Sequence, residues 1–440
     1  MSLLRVLSWI ALASSLPVAV SGQAALVFTN VTVIDGTRTA AQPAMTVIIR
    51  DGRIEAVAPR GRVALPPRAR VVDGTGKFLI PGLWDMHVHL TDARPSAIPA
   101  LIANGVTGVR DMGSLLRDVD ELRIRIEDGT LIGPRIVRAG PIVNGEAFGP
   151  VQLAVADSTE ARAAVRALAK VGVDFIKIHR TLTPAEFRAI VAEAKRVGLP
   201  VAGHIPLELA AAEVSDAGVA SIEHTESLLQ SMNFGSLSPE QFIDAMTALF
   251  QRFARNGTYY DPTLIMYKSS ADWRGFAPHQ QSKYVARSAQ AHMDTVAQQY
   301  RSLPDVLAGR QQLFKTTFLK LVGLMHQHGV RVMTGTDLAD GRIFPGFSVH
   351  EELALLVEAG FTPSDAIQAA TRVPAEFLRL SDAGTVEIGK RADLVLLNAN
   401  PLEDIHNTTR IEAVVLRGQL LDRARLDALL GEAERLAANN

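Results

Sequence analysis

The sequence predicts an α/β protein: a (β/α)8 barrel of the TIM type carrying a small composite β-sandwich built from both chain ends. Three observations predict it. Between Leu79 and about Leu380, short apolar runs alternate with longer helical stretches, the pattern of repeated βα units. Both ends are instead rich in β-branched strands separated by Asp-Gly turns. Several of the central runs also end in His or Asp, where a parallel barrel gathers its chemistry.

The elements follow in chain order. Residues 1–22 read as a secretory leader: Arg5 supplies positive charge, Val6 to Ala13 is mostly apolar, and Ala19-Val-Ser21 offers small residues for cleavage. A short buried helix or an uncleaved anchor is the alternative, although Ser14, Ser15 and Pro17 break the run before it reaches the ~20 residues of a membrane span. Export to the periplasm or medium is therefore expected, without a stable membrane anchor. Residues 23–80 hold strands near Leu26–Asp35, Met45–Ile49, Ile54–Val57 and Arg70–Asp73, read as a small antiparallel sheet. Residues 381–440 return Ala392–Leu397 and Ala413–Leu416 to that unit and close with a helix from about Leu421 to Leu436.

The barrel domain, 81–380, contains eight strand candidates: 83–89, 106–111, 135–140, 173–178, 199–204, 219–224, 257–261 and 330–337. Helix starts are marked by a hydroxyl three residues before a carboxylate, in Thr183-Pro-Ala-Glu186, Ser348-Val-His-Glu351 and Thr362-Pro-Ser-Asp365, and stops by Gly198 and Gly360. His87 and Lys177 are separated by about three units of roughly 30 residues, as strands one and four would be. His204 and His224 suit strands five and six. The longer gap to Asp337 demands an insertion, and about 231–320 reads as extra helices over the barrel mouth.

Composition narrows the function. The 440 residues are 48% hydrophobic with a formal charge of -1, which argues against nucleic acid or an anionic membrane as partner and leaves a small molecule. Cysteine is absent, so disulfides and thiolate metal sites are excluded and any metal must be held by nitrogen and oxygen.

Six residues read as one metal site: His87, His89, Lys177, His204, His224 and Asp337. On a strand, residues two apart share a face, so His87 and His89 point into the barrel while Met86, Val88 and Leu90 face the helices. Lys177 alternates with Ile176 and Ile178 and must also point inward, where a charged ammonium is costly. It either meets metal cations, snorkels to the barrel end, or pairs with a carboxylate. His204 and His224 end apolar runs, and Asp337 closes Thr334-Gly-Thr-Asp337 after Val330-Arg-Val-Met333. Singly, each has an ordinary polar or turn reading.

Together, Pro81-Gly-Leu-Trp-Asp-Met-His-Val-His89, the strand-four lysine, the two later histidines, Thr334-Gly-Thr-Asp337 and the returning Gly384-Thr-Val-Glu-Ile-Gly-Lys-Arg-Ala-Asp-Leu-Val395 resemble the amidohydrolase superfamily. The nearest branch is the imidazolonepropionase-like group with its prolidase-like, metal-dependent dipeptidases bearing a carboxylated lysine. The resemblance implies two divalent metal ions, most suitably zinc, with manganese or cobalt also admitted. His87, His89 and Asp337 would hold one and His204 and His224 the other, bridged by a carbamate on Lys177 and a hydroxide. Asp337 would then move the proton in hydrolysis of an amide or peptide bond, in a dipeptide or N-acyl amino acid. The rival within the resemblance is a cyclic amide hydrolase or deaminase with a single metal. A homo-oligomeric assembly is expected.

One departure stands out. The dipeptidases carry a longer loop after the lysine with a tyrosine that polarises the carbonyl, whereas here Ile178-His-Arg-Thr-Leu-Thr-Pro184 enters a helix at once. His179 is the candidate substitute, or else a solvated loop residue. Arg180 can receive a substrate carboxylate, and Tyr259 and Tyr260 fall at the end of strand seven; all three have packing or surface readings as well.

Overall fold

The computed structural model describes residues 24–37, 40–230, 237–271, 279–301, 303–339 and 342–439. The expected leader, 1–22, lies outside them. Among the described residues no helix is long and apolar enough to cross a membrane.

Both chain ends enter one sheet. Its order is Gln419–Asp422, Ile411–Leu416, Leu394–Leu397, Phe78–Pro81, Leu26–Val33, Gln42–Arg50 and Arg53–Pro59, with Arg70–Asp73 also pairing Leu26–Val33. The sheet is mixed rather than antiparallel, because Leu26–Val33 runs parallel to both Arg70–Asp73 and Phe78–Pro81. The termini are joined edge to edge, Leu394–Leu397 pairing antiparallel with Phe78–Pro81. Strand alternation then serves two cores. Leu79, Leu394, Leu396, Ala413 and Val415 join Phe28 and Val47 in a core belonging to the sheet. Ile80, Val395, Leu397, Val414 and Leu416 face the main core.

The central strands are Leu83–Val88, Val106–Asp111, Arg135–Arg138, Ile176–Ile178, Val201–Gly203, Ser221–Glu223 and Tyr259–Asp261. All seven fall within or beside their expected positions, and most are shorter. Neighbouring strands run parallel, in a three-stranded sheet from the first three and a six-stranded sheet from the rest. The latter gains Ile142–Asn144 and Gln152–Ala154, a parallel pair that the sequence left unassigned. The eighth strand expected at 330–337 is not regular. That segment makes isolated parallel bridges, Tyr260 to Val332 and Val88 to Leu338. Its hydrogen bonds reach both neighbours, Met333 N to Tyr260 O at 2.8 Å and Met86 N to Thr334 O at 2.9 Å. Within Thr334-Gly-Thr-Asp337, the Thr336 N–H and hydroxyl both donate to the Asp85 side chain, at 3.0 and 2.7 Å.

Two helix caps form as the sequence indicates. Thr183 and Glu186 make a capping box for Pro184–Val197, which ends on Gly198 at φ 78°, and Thr362 with Asp365 does the same for Pro363–Ala369. The third differs: Phe347–Glu358 starts after Gly346, and the Ser348 hydroxyl accepts from Phe344 N. The closing helix runs Arg423–Ala438. The insertion is helical as expected, with Pro239–Asn256, Leu264–Ala271, Arg287–Arg301 and Pro304–Leu313.

Candidate metal centre

The six predicted ligands occupy strand tips, and most of them meet there. The Asp337 carboxylate stands at the centre, with Oδ1 3.5 Å from His87 Nε2 and 3.3 Å from His89 Nε2, and Oδ2 3.8 Å from His224 Nδ1. The His87 and His224 rings lie 4.6 Å apart and those of His204 and His224 4.5 Å, so the imidazoles form a chain across the strand ends. His87, His224 and Asp337 can place ligand atoms around one point. Lys177 is 1% exposed and faces the same space. Two of these residues hold the left-handed backbone region, His224 at φ 68° and Asp337 at φ 63°, a conformation that β-branched or bulky side chains seldom adopt.

Each imidazole on strands one and six has its Nδ1 already engaged. His87 Nδ1 faces Glu223 Oε2 at 3.2 Å, His89 Nδ1 faces Gly113 O at 2.9 Å, and His224 Nδ1 faces Thr263 Oγ1 at 2.8 Å. Conversely, His87 Nε2, Lys177 Nζ and His204 Nδ1 are buried without a hydrogen-bond partner among the described residues. An unpaired polar atom in a protein interior is costly, and three such atoms on residues of one cluster fit a cation held by nitrogen and oxygen donors.

Electrostatics point the same way. Burial pushes the Lys177 amine down to about 8, against the pull of Glu223 and Asp337. Burial likewise lowers His224 to about 4 and His179 to about 3, the latter with help from Lys177. His89 departs upward to about 9: burial opposes its charge, but its bond to Asp337 prevails. For Asp337 burial alone would raise the carboxyl, and the imidazoles of His87, His224 and His89 hold it far below the usual range instead.

An open pocket of about 380 Å³ leads to this cluster, lined by His89, Lys177, His179, Arg180, His204, His224 and Asp337. His179 is thus a pocket residue, its ring 4.1 Å from His204. Arg180 also lines the pocket, and its guanidinium has no hydrogen-bond or ion-pair partner among the described residues. Tyr259 and Tyr260 do not line it. Tyr259 packs edge-on to Phe377 at 5.0 Å, in a cluster with Phe175 and Met333, and Tyr260 stacks beside Phe253 and donates to His224 O.

Sequence reasoning missed residues on both sides of the site. Met266 and Tyr267, from helix Leu264–Ala271, contribute to the pocket wall, and Tyr267 Oη accepts from Glu226 N at 3.1 Å. That helix is held by Glu352, whose carboxylate accepts from Leu264 N and Ile265 N at 3.0 and 2.6 Å. Beneath the centre lie Arg110 and Glu223, both fully buried. Glu223 sat in view beside His224, but nothing local marks its partner.

Parallel strands carrying histidines, a lysine and an aspartate to one pocketed end define a metal-dependent hydrolase of the α/β class. The chain belongs to the amidohydrolase family, whose model matches residues 78–421. Its fold is similar to the crystal structure of a putative prolidase from Bifidobacterium longum, at 28% identity and a TM-score of 0.70 over 93% of this chain and 99% of that one. Among curated proteins it is similar to the ochratoxinase of Aspergillus niger, 25% identical over 392 residues covering 74% of this chain and 71% of the relative. The imidazolonepropionase of Symbiobacterium thermophilum is 25% identical over 385 residues, 81% of this chain and 84% of the relative.

Proposed function

We propose that this amidohydrolase is a binuclear enzyme that hydrolyses the amide bond of a small substrate, a dipeptide or N-acyl amino acid. The observation that carries the reading is the clustering of His87, His204, His224 and Lys177 about Asp337, with His87 Nε2, Lys177 Nζ and His204 Nδ1 buried and unpartnered among the described residues. In this reading His87, His89 and Asp337 would hold one divalent cation, zinc by preference, and His204 and His224 would hold a second, with Lys177 contributing a ligand as its carbamate. Such cations, when bound, supply an acidified water and a polarised carbonyl.

The chain's own groups do the rest. Asp337, kept unprotonated by its imidazole neighbours, accepts a proton from the attacking water and returns it to the leaving amine. Asn144 spends its Oδ1 on Thr181 N and Oγ1, so its Nδ2 faces His179 Nδ1, at 3.4 Å. Neutral His179 thereby carries its proton on Nε2, a donor suited to the substrate carbonyl. Arg180 offers an unpaired fork to a substrate carboxylate. The similarity to a protein named putative prolidase supports a peptide-like substrate.

The similarity to imidazolonepropionases favours a second reading, opening of a cyclic amide with one metal. Metal content distinguishes them, together with amine release from a panel of dipeptides, N-acyl amino acids and cyclic ureides. Two metals per chain and cleavage of linear amides support the first reading; one metal and turnover of cyclic substrates alone overturn it. We place the enzyme outside the cytoplasm on the strength of residues 1–22, which N-terminal sequencing of the protein from cell fractions tests.

A further inference from the structure

We infer that Glu223, braced by Arg110, is a positioning residue that fixes the tautomer of His87 and so sets how tightly the centre binds a divalent cation. The inference rests on the metal-centre reading above. Glu223, Arg110 and Ser221 are all 0% exposed, sealed beneath the cluster on the side away from the pocket. Glu223 Oε2 stands 3.2 Å from His87 Nδ1 and 2.7 Å from Arg110 Nη2, while Oε1 takes the Ser221 hydroxyl. Arg110 Nη1 donates back to Ser221 Oγ at 2.8 Å, and its Nε donates to Met86 O at 2.6 Å, on the very strand that bears His87. The guanidinium lies over Phe175 and Phe377, 5.8 and 5.1 Å from their centroids, so its own freedom is small.

The chemistry follows from what these groups can do. Both Glu223 oxygens accept, Oε2 from Arg110 and Oε1 from Ser221, so His87 presents Nδ1–H to Glu223 and carries its lone pair on Nε2. Nε2 is the nitrogen that faces Asp337 and has no partner of its own. The Nδ1 hydrogen bonds of the other imidazoles differ: His89 leans on a neutral carbonyl, His224 on a hydroxyl that can donate or accept. A carboxylate behind a ligating imidazole both locks the ring and makes its free nitrogen a better donor. Arg110 gives Glu223 a charge-assisted partner in a dry interior, and by sharing Oε2 with His87 it leaves that hydrogen bond intact.

The experiment titrates metal-depleted protein with Zn²⁺ against a chromophoric chelator, comparing wild type with Glu223→Gln, which keeps the shape and removes the charge. Roughly 10- to 100-fold weaker Zn²⁺ binding is expected in Glu223→Gln. Long-range ¹H–¹⁵N correlation on the metal-free wild type should show His87 protonated at Nδ1, a signature that a merely structural ion pair would not impose and that needs no variant to fold. Unchanged Zn²⁺ affinity in folded Glu223→Gln, or an Nε2-protonated His87 in the wild type, overturns the inference while leaving the metal centre standing. A wild type that binds no Zn²⁺ overturns both.

Discussion

Asp337 and His87 meet twice: the Asp337 backbone N–H donates to the His87 carbonyl at 2.8 Å, and the Asp337 carboxylate stands 3.5 Å from the His87 imidazole. The backbone bond fixes the first and last segments of the central domain against each other, and the side chains use that fixed register. Asp85 reinforces it by accepting from both His87 N and Thr336 N, at 3.2 and 3.0 Å. Placement of the carboxylate therefore does not depend on its own charge. Asp337→Asn should keep the fold and melting temperature and lower kcat by roughly 10²- to 10⁴-fold, the range of a lost general acid–base. Steady-state kinetics with a scissile amide and a thermal melt check both halves.

In the two-metal reading proposed above, Lys177 is the residue on which the second metal would depend. With the amine pushed down to about 8 and no hydrogen-bond partner among the described residues, it offers carbon dioxide a larger neutral fraction than an exposed lysine would. Lys177→Ala should yield protein that retains no more than one metal per chain and has lost most turnover. Elemental analysis beside an amine-release assay gives the answer, and full activity with two metals would count against the carbamate.

Gly203 makes room for strand four next to His204. It holds φ 146°, and a Cβ there would stand 2.2 Å from the carbonyl oxygen of Ile178, a backbone atom that cannot swing aside. Gly203→Ala should destabilise the chain by roughly 1 to 3 kcal/mol, the usual cost of overpacking, and displace Lys177 and His204 relative to each other. Denaturant unfolding measures the first effect and metal titration the second.

These residues also show how far the sequence was legible. Apolar runs ending in His or Asp mark strand tips by local pattern alone, and Thr183 and Thr362 announce their helices through partners three residues away. Met86 was misread as facing the helices. Strand one carries register shifts between Leu83 and Trp84 and between Asp85 and Val88, so simple alternation fails, and Met86 packs with Phe175, on the face that also bears Lys177. Tyr259 and Tyr260 looked like substrate contacts because they end a strand, but one fills the floor of the central domain and the other the layer beneath helix Pro239–Asn256. Least legible were the groups that hold the imidazoles, Glu223, Gly113 and Thr263. Each is matched to its histidine by the fold and not by spacing, so no period or motif in the chain pairs them.

His350 supplies a pH dependence independent of the metal centre. It is 3% exposed on helix Phe347–Glu358, with Nε2 facing Asn104 O at 3.1 Å and Nδ1 facing Thr408 Oγ1 at 3.0 Å. Burial lowers its pKa to about 4, while in the unfolded chain it titrates near the ordinary 6.5. Between those values the unfolded chain binds more protons than the folded one, so stability falls as pH falls. The contribution is complete above about 6.5 and is lost as pH drops through 4, a difference on the order of 3 kcal/mol. Denaturant midpoints at pH 7 and pH 5 should therefore differ more in the wild type than in His350→Gln, whose amide offers neutral hydrogen-bonding groups in place of the ring. Equal pH sensitivity in the two proteins would assign the acid loss to other groups.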